Sequence, residues 1–442
     1  MARSESVPRI AAVNTHLEGN LGDEMETTPV LRALHELGYK LDVFTSPWKA
    51  PQPNLRVSPR AVRELLYADE IFVHDPLEER SSGSRGARQA LLARNYTAYI
   101  VMPGPIRAKR LRTLCQHVHA LATKPAVLAI GVTINGLELH GAGPRSSARS
   151  MQGWQRDCAN ALVVAREPLT VHNWNALVPR GKDRAARSAT ELAVPSLETP
   201  CPALGSAVLM GDTSFSFQPI LSLKAMWRAH YAGWAFGFFR AGARWRALIF
   251  HRASNQRYGL NAPTPRAVRV RVLARSRSAD VRGGATPELS TAVPLVAPPV
   301  EFLDFHASEV AFATSDVDLD TSFLVQLVKR LGLPATRAML LENVEQMWGL
   351  IEAARDAGAL VLSDRYHPLV AAHVLGVQAQ AIAYPAEAQK IVGINSLLQL
   401  PRERMQHLND RGWRCVREVL ASAAQKQGQV LSGTTRVKVE GA

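Results

Sequence analysis

Short apolar runs alternate with helical segments along most of the chain, and this pattern restricts the fold more than any other feature. The apolar runs lie at residues 10–13, 41–44, 70–73, 98–101, 126–130, 161–165, 207–210, 310–313, 339–341, 361–362 and 381–383. The segments predicted as helices lie at 23–37, 61–67, 87–94, 108–121, 322–330, 344–357, 369–375 and 402–425. Strands joined by helical crossovers pair in parallel and place helices on both faces of the sheet. The sequence therefore predicts an α/β fold.

The length of the chain predicts two domains. Its 442 residues, 47% of them hydrophobic, are enough to form two cores of ordinary size. A Pro-rich stretch at 195–202 separates the two series of apolar runs. We therefore predict two doubly wound, Rossmann-like domains, at residues 8–205 and 206–430. The last helix is predicted to pack back across their junction.

The net charge of +14 is concentrated in one segment. Residues 218–286 contain 13 Lys and Arg residues against the single acid Asp280, and Trp, Tyr and Phe are interleaved with them at about 218–265. This pattern predicts an insertion in the second domain that contacts an anionic membrane surface. Alternatively, its aromatic side chains pack on the protein itself and its arginines are solvated. No nucleic-acid-binding motif accompanies the charge, so nucleic acid is not an expected partner.

The sequence also bears on the compartment. No apolar run reaches the roughly 18 residues of a membrane-crossing helix, and the first residues lack the apolar core of a secretory signal. The four cysteines are scattered without Cys-x-x-Cys spacing, which predicts neither a zinc site nor a disulfide framework. We therefore expect a cytoplasmic protein in a reducing compartment, peripheral to a membrane if the insertion binds lipid.

A polar hexapeptide at 363–368, Ser-Asp-Arg-Tyr-His-Pro, follows the apolar run 359–362 and precedes the predicted helix 369–375. Ligands of open α/β sheets bind at the carboxyl ends of the strands, so these side chains are aimed at chemistry. Arg365 offers a charged fork for carboxylate or phosphate, and His367 offers a proton carrier that titrates near neutral pH. Both suit an anionic substrate. In the alternative interpretation, Asp364 caps the helix and Arg365 pairs with a surface carboxylate.

Three segments together resemble the polysaccharide pyruvyl transferase family. The first is this hexapeptide with Leu-Gly-Val at 375–377, Ile-Ala-Tyr at 382–384 and Lys390 downstream. The second is Asn-Leu-Gly-Asp-Glu at 20–24, and the third is Val-Val-Ala-Arg-Glu at 163–167. They occur in family order. The resemblance implies two domains that face a cleft in a GT-B-like arrangement. It also implies transfer of pyruvate from phosphoenolpyruvate onto two hydroxyls of a sugar or glycan, with formation of a ketal and release of phosphate.

The resemblance also implies roles for individual residues. His367 is the predicted proton carrier, and Asp23 and Glu24 are catalytic candidates on the acceptor side, where one carboxylate can act as a base. The predicted substrate-binding residues are Arg365, Arg166, Tyr366, Asn20 and Lys390, of which Arg365 and Arg166 clamp the anionic donor and Lys390 adds a third cation. No metal and no cofactor besides the donor substrate are expected.

Each of these assignments has a simpler alternative. Asp23 with Glu26 can form a capping box at a helix start. Arg166 can mark the point where a strand reaches solvent, and Lys390 can be an exposed lysine. At the level of function, the alternatives are a GT-B glycosyltransferase that uses a nucleotide sugar and a non-catalytic module that docks on a glycan or an anionic membrane.

Overall fold

The computed structural model shows two compact units. It describes residues 7–15, 21–45, 67–72, 76, 91, 94–135, 148–177, 200–217, 246–250, 268–273, 301–306, 309–314, 317–341, 344–363, 365–381 and 400–436. The first unit takes the described residues within 1–18, 26–216 and 403–442, and the second takes those within 19–25 and 217–402. The first unit thus extends past the predicted boundary at 205, and the last helix belongs to it rather than to the second domain.

The first unit contains a parallel sheet with strands in the order β3-β2-β1-β4-β6-β7-β8, and β5 pairs with β6. These strands are β1 (Arg9–Thr15), β2 (Lys40–Thr45), β3 (Glu70–Phe72), β4 (Ala98–Val101), β5 (Gly104–Arg107), β6 (Ala126–Asn135), β7 (Ala161–Ala165) and β8 (Ala207–Leu209). The order runs outward from β1 to β3 in one direction and from β4 to β8 in the other. The sheet is therefore Rossmann-like, with its reversal point between β1 and β4.

Helices cover both faces of this sheet. They are α1 (Leu21–Glu36), α2 (Ala108–His119), α3 (Ala148–Asp157), α4 (Pro168–Leu177) and α8 (Arg402–Arg436). Successive strand residues alternate between two buried clusters, because side chains of a strand point alternately to opposite faces. Residues of α1 and α8 belong to one cluster, and residues of α2, α3 and α4 to the other. The first unit is doubly wound, as predicted.

The second unit contains a five-stranded parallel sheet in the order β13-β12-β9-β14-β15. Its strands are β9 (Ala247–Phe250), β12 (Val310–Ala313), β13 (Ala338–Met339), β14 (Leu360–Ser363) and β15 (Ala379–Ala381). Three helices belong to the unit, namely α5 (Val317–Arg330), α6 (Val344–Asp356) and α7 (Tyr366–Leu375). The order again reverses, here between β9 and β14. The predicted α/β class with two Rossmann-like parallel sheets is confirmed.

Two strands of the second unit depart from the sequence prediction. β10 (Val268–Leu273) pairs in parallel with β11 (Glu301–His306) in a separate two-stranded sheet. β9 lies inside the stretch predicted as a basic insertion, yet it is the fully buried central strand of the main sheet. The apolar run Ala-Leu-Ile-Phe between arginines carries this strand. The rest of the predicted insertion, 218–245 and 251–265, lies outside the described residues, so its membrane contact stays a prediction.

The prediction that the chain has no disulfide is wrong. Cys201 and Cys415 are bonded to each other, while Cys115 and Cys158 are buried free thiols. The bonded residues are 214 positions apart in sequence, so their spacing gave no signal. They meet because α8 packs on the first sheet, and the inference of a reducing compartment therefore loses its basis. Within the part of the chain that the structure describes, no helix combines the length and apolarity needed to cross a bilayer.

Candidate active site

The Arg-x-His motif lies at the reversal point of the second sheet. β14 ends at Ser363 and pairs with β9, and α7 begins at Tyr366. In doubly wound sheets this is where ligands bind, because the helices after the two central strands diverge and leave a crevice. The topology therefore places Arg365 and His367 at the position that the sequence predicted for them.

The backbone between β14 and α7 is fixed by Ser363. Its hydroxyl donates to the carbonyl of Arg365 over 2.7 Å and accepts from the amide of Arg365 over 2.8 Å. Arg365 occupies the N-cap position in an extended conformation and makes no side-chain cap. The helix begins three residues before the predicted start at Leu369, because Pro368 is tolerated in a first turn, where its missing N–H has no helical partner. Asp364, which the alternative interpretation made the cap, is not at the N-cap position.

His367 is buried against the segment that carries the second motif. Its side chain contacts that of Tyr366, with ring centroids 5.1 Å apart. The backbone of Gly22 approaches the imidazole so closely that a Cβ at residue 22 would overlap the ring. Glycine is therefore required there for steric reasons. The Asn-Leu-Gly-Asp-Glu segment and the Arg-x-His segment, which lie more than 300 residues apart in sequence, contribute to one site in the second unit.

Glu24 has an unusual protonation state in this site. Burial raises the pKa of its carboxyl to about 8, the nearby Glu345 raises it further, and a hydrogen bond with the backbone of Val344 opposes the shift. At neutral pH Glu24 is therefore mostly protonated and can donate a proton. Because α1 begins at Leu21, Asp23 lies inside its first turn, and the capping-box interpretation of Asp23 is wrong.

Arg166 lies directly after β7, at the carboxyl end of the strand as predicted, but it does not reach solvent. The residue is 0% exposed. Its Nε donates to Thr133 Oγ1 over 2.7 Å, Nη1 donates to Glu26 Oε1, and the same Nη1 lies 3.6 Å from Asp212 Oδ2. One guanidinium thus faces two buried carboxylates, and the group carries a net negative charge when both are ionised.

The surrounding hydrogen bonds hold these carboxylates in place. Thr213 donates to the carbonyl of Glu26 over 2.8 Å, and the amide of Ser214 donates to Asp212 Oδ1 over 2.8 Å. Asn409 on α8 donates to the carbonyl of Asp212 over 3.1 Å. A donor clamped by Arg166 would compete with carboxylates that are already in place. The role of Arg166 as an anion clamp stays a prediction.

Glu167, the acidic partner in the Arg-Glu pair, has a structural role. Its carboxylate accepts hydrogen bonds from the amides of Leu169 and Thr170 at the start of α4. Burial raises the pKa of this carboxyl, and the bonds from Thr170 and Leu169 oppose the shift. The residue is the N-terminal cap of α4.

The remaining predicted site residues divide between the described and the undescribed parts. Tyr366 and Asp23 lie in the first turns of α7 and α1. Asn20, Tyr384 and Lys390 lie outside the described residues, so their roles stay predictions. The sequence analysis missed Glu345, Asp212 and Thr133 as site residues. Asp212 follows an apolar run directly, as Arg166 does, and that signal could have identified it.

Comparisons with known proteins leave the family open. No protein-family model matches the chain, and no curated protein matches it. Two solved structures resemble it weakly. The UDP-GlcNAc 2-epimerase from Methanocaldococcus jannaschii has a TM-score of 0.44 and 10% identity over 93% of this chain and 99% of that one. A glycosyltransferase from Rickettsia africae ESF-5 has a TM-score of 0.39 and 9% identity over 96% and 98%. Likeness at this level carries no conclusion about activity.

Proposed function

We propose that the protein transfers pyruvate from phosphoenolpyruvate onto two hydroxyls of a sugar or glycan, forming a cyclic ketal and releasing phosphate. The observation that carries the proposal is the contact between Gly22 and His367. Two of the three segments that resemble the pyruvyl transferases contribute to one site through this contact. A proton-carrying carboxyl, Glu24, belongs to the same segment as Gly22.

The donor side of the proposal rests on Arg365 and the start of α7. Phosphoenolpyruvate carries a carboxylate and a phosphate, which require fixed positive charge and N–H donors. Arg365 supplies the charge at the N-cap position, and the first turn of α7 directs backbone N–H groups to the same end of the helix. The anion therefore binds at the carboxyl end of β14.

The chemistry needs one acid and one base. The acid protonates the methylene carbon of phosphoenolpyruvate, and a sugar hydroxyl adds to the neighbouring carbon while the base takes its proton. The C–O bond to phosphate then breaks, and the second hydroxyl attacks the same carbon and closes the ring. The proton of that hydroxyl leaves with the phosphate. No oxidation or reduction takes place.

Glu24 and His367 provide these two functions. The carboxyl of Glu24, whose pKa is raised to about 8, holds a proton at neutral pH and suits the acid. The imidazole of His367 suits the base, because its ordinary pKa leaves it largely neutral at the same pH. Asp23, in the same helical turn as Glu24, is a candidate for binding the acceptor hydroxyls.

The test is an assay with phosphoenolpyruvate and a panel of glycans, with inorganic phosphate and the ketal measured together. We expect phosphate release that depends on the glycan, and His367→Asn should lower turnover by about 100- to 10,000-fold. The matched control is His373→Asn, the same substitution on the same helix at its far end. Release of a nucleoside diphosphate from a nucleotide sugar, without turnover of phosphoenolpyruvate, would establish the glycosyltransferase alternative instead.

A further inference from the structure

Four buried polar side chains at one edge of the first sheet have no hydrogen-bond partner for a side-chain atom among the described residues. They belong to Asn14 and Thr15 at the end of β1, Thr27 in α1 and Ser214 in the short 3-10 helix Thr213–Ser216 that follows β8. None of the four is more than 1% exposed. Leaving a buried hydroxyl or amide unpaired is unfavourable, so each such group requires an explanation.

The topology brings these residues to the carboxyl edge of the sheet. Asn14 and Thr15 lie at the end of β1, next to β4, where the strand order reverses. The hydrogen bond from Thr213 to the carbonyl of Glu26 joins the 3-10 helix to α1, and Thr27 and Ser214 directly follow its two residues. The four polar groups therefore lie where a doubly wound sheet binds its ligand.

Asn14 adds a backbone observation. Its φ is 60°, in the left-handed region that residues other than glycine seldom occupy. Asparagine tolerates this conformation better than most residues, but the strain persists only where the surrounding structure imposes it. Such strain clusters at sites that bind ligands, and here it coincides with the unpaired Nδ2 of the same residue.

The charge at this edge determines which ligand fits. The group formed by Arg166, Glu26 and Asp212 has one positive and two negative members, all buried. A second buried anion would meet repulsion there, which excludes phosphate and carboxylate. Three hydroxyls and one amide N–H instead match the donors and acceptors of a neutral polyol.

We propose that this edge of the first unit binds the hydroxyl groups of a neutral sugar through Asn14, Thr15, Thr27 and Ser214. The assignment of that sugar as the acceptor rests on the proposed function, whereas the binding itself does not. Sugar hydroxyls satisfy the unpaired groups, and the net negative charge keeps the anionic donor away from this edge.

The test is titration of the full chain with the methyl glycosides of glucose, galactose and mannose, without phosphoenolpyruvate, followed by NMR. At least one glycoside should bind. The double variant Thr15→Val with Thr27→Val removes two hydroxyls and keeps the side-chain shape, so affinity should fall about tenfold while the melting temperature stays equal or rises. Each single variant should show part of the loss.

The matched control is Thr97→Val. Thr97 is a buried threonine at the amino end of β4, and its hydroxyl donates to Gln427 over 2.5 Å. This variant should melt at a lower temperature and bind the glycosides unchanged. Asn14→Gly, which relieves the backbone strain and removes the amide, should also weaken binding.

Two results would overturn the inference. One is a wild-type protein that binds none of the three glycosides, or a double variant that binds them as the wild type does. The other is inorganic phosphate binding that the double variant loses. Glycoside binding without turnover of phosphoenolpyruvate would overturn only the proposed reaction, and turnover without glycoside binding would overturn only this site.

Discussion

Gly22 and His367 are in direct contact, and no other residue type fits at position 22 while the imidazole stays in place. The contact joins the start of α1 to the start of α7. A conserved-looking glycine in a motif is usually attributed to a turn, but this one lies inside a helix and is explained by the ring against it.

The first prediction follows from this contact. Gly22→Ala should displace His367 and lower turnover by about 100-fold or more, as loss of a general acid–base group does. The control is Gly358→Ala, at a glycine with φ of 66° and no heavy atom within 4 Å of an added Cβ. That variant should lose about 1 kcal/mol of stability with turnover unchanged. Full turnover in a folded Gly22→Ala protein would contradict the role of His367.

The second prediction concerns pH. The pKa of Glu24 is raised from 4.5 to about 8, so the folded protein keeps a proton that the unfolded chain releases. The contribution of Glu24 to stability should therefore fall as pH rises from about 4.5 to about 8 and stay constant above that. Glu24→Gln should remove this part of the slope, which thermal melts across the range will measure. An unchanged slope would show that Glu24 titrates normally.

The third prediction concerns the buried charges around Arg166. Arg166→Met leaves Glu26 and Asp212 unneutralised, and breaking a buried pair from one side costs about 3–5 kcal/mol in the free energy of unfolding. Arg32→Met is the control, because Arg32 and Glu36 form a partly exposed pair one helical turn apart worth about 0.5 kcal/mol or less. Urea unfolding of both variants gives the comparison. Equal losses in the two variants would be inconsistent with the charge arrangement in the first unit.

The fourth prediction concerns the disulfide. Reduction should lower the free energy of unfolding by about 2–5 kcal/mol, since the bond closes a long loop in the unfolded chain. The double variant Cys201→Ser with Cys415→Ser should start at the lower stability and show no response to reductant. The free thiols serve as the internal control, because Cys115→Ser should leave the response to reductant in place. A protein whose unfolding is the same with and without dithiothreitol would lack the bond.

The sequence predicted the strands and helices well because their signal is local. The run at 161–165 is a strand, and Arg166 follows it at the sheet edge, as the pattern indicated. What the sequence could not predict depends on partners far along the chain. Asp212 neutralises Arg166, Cys415 bonds Cys201, and Glu345 shifts Glu24, and no spacing rule links these pairs. The boundaries failed where a polar signal outweighed a short apolar one, as at β9.

The membership of α8 in the first unit has a consequence for synthesis. Ribosomes make the chain from its amino terminus, so the strands β1 to β8 emerge long before Trp413, Val416 and Leu420 exist to cover one face of their sheet. Residues 217–402 are all translated in between. The domain begun first is thus completed last, and its apolar face awaits α8 while the second unit can already fold.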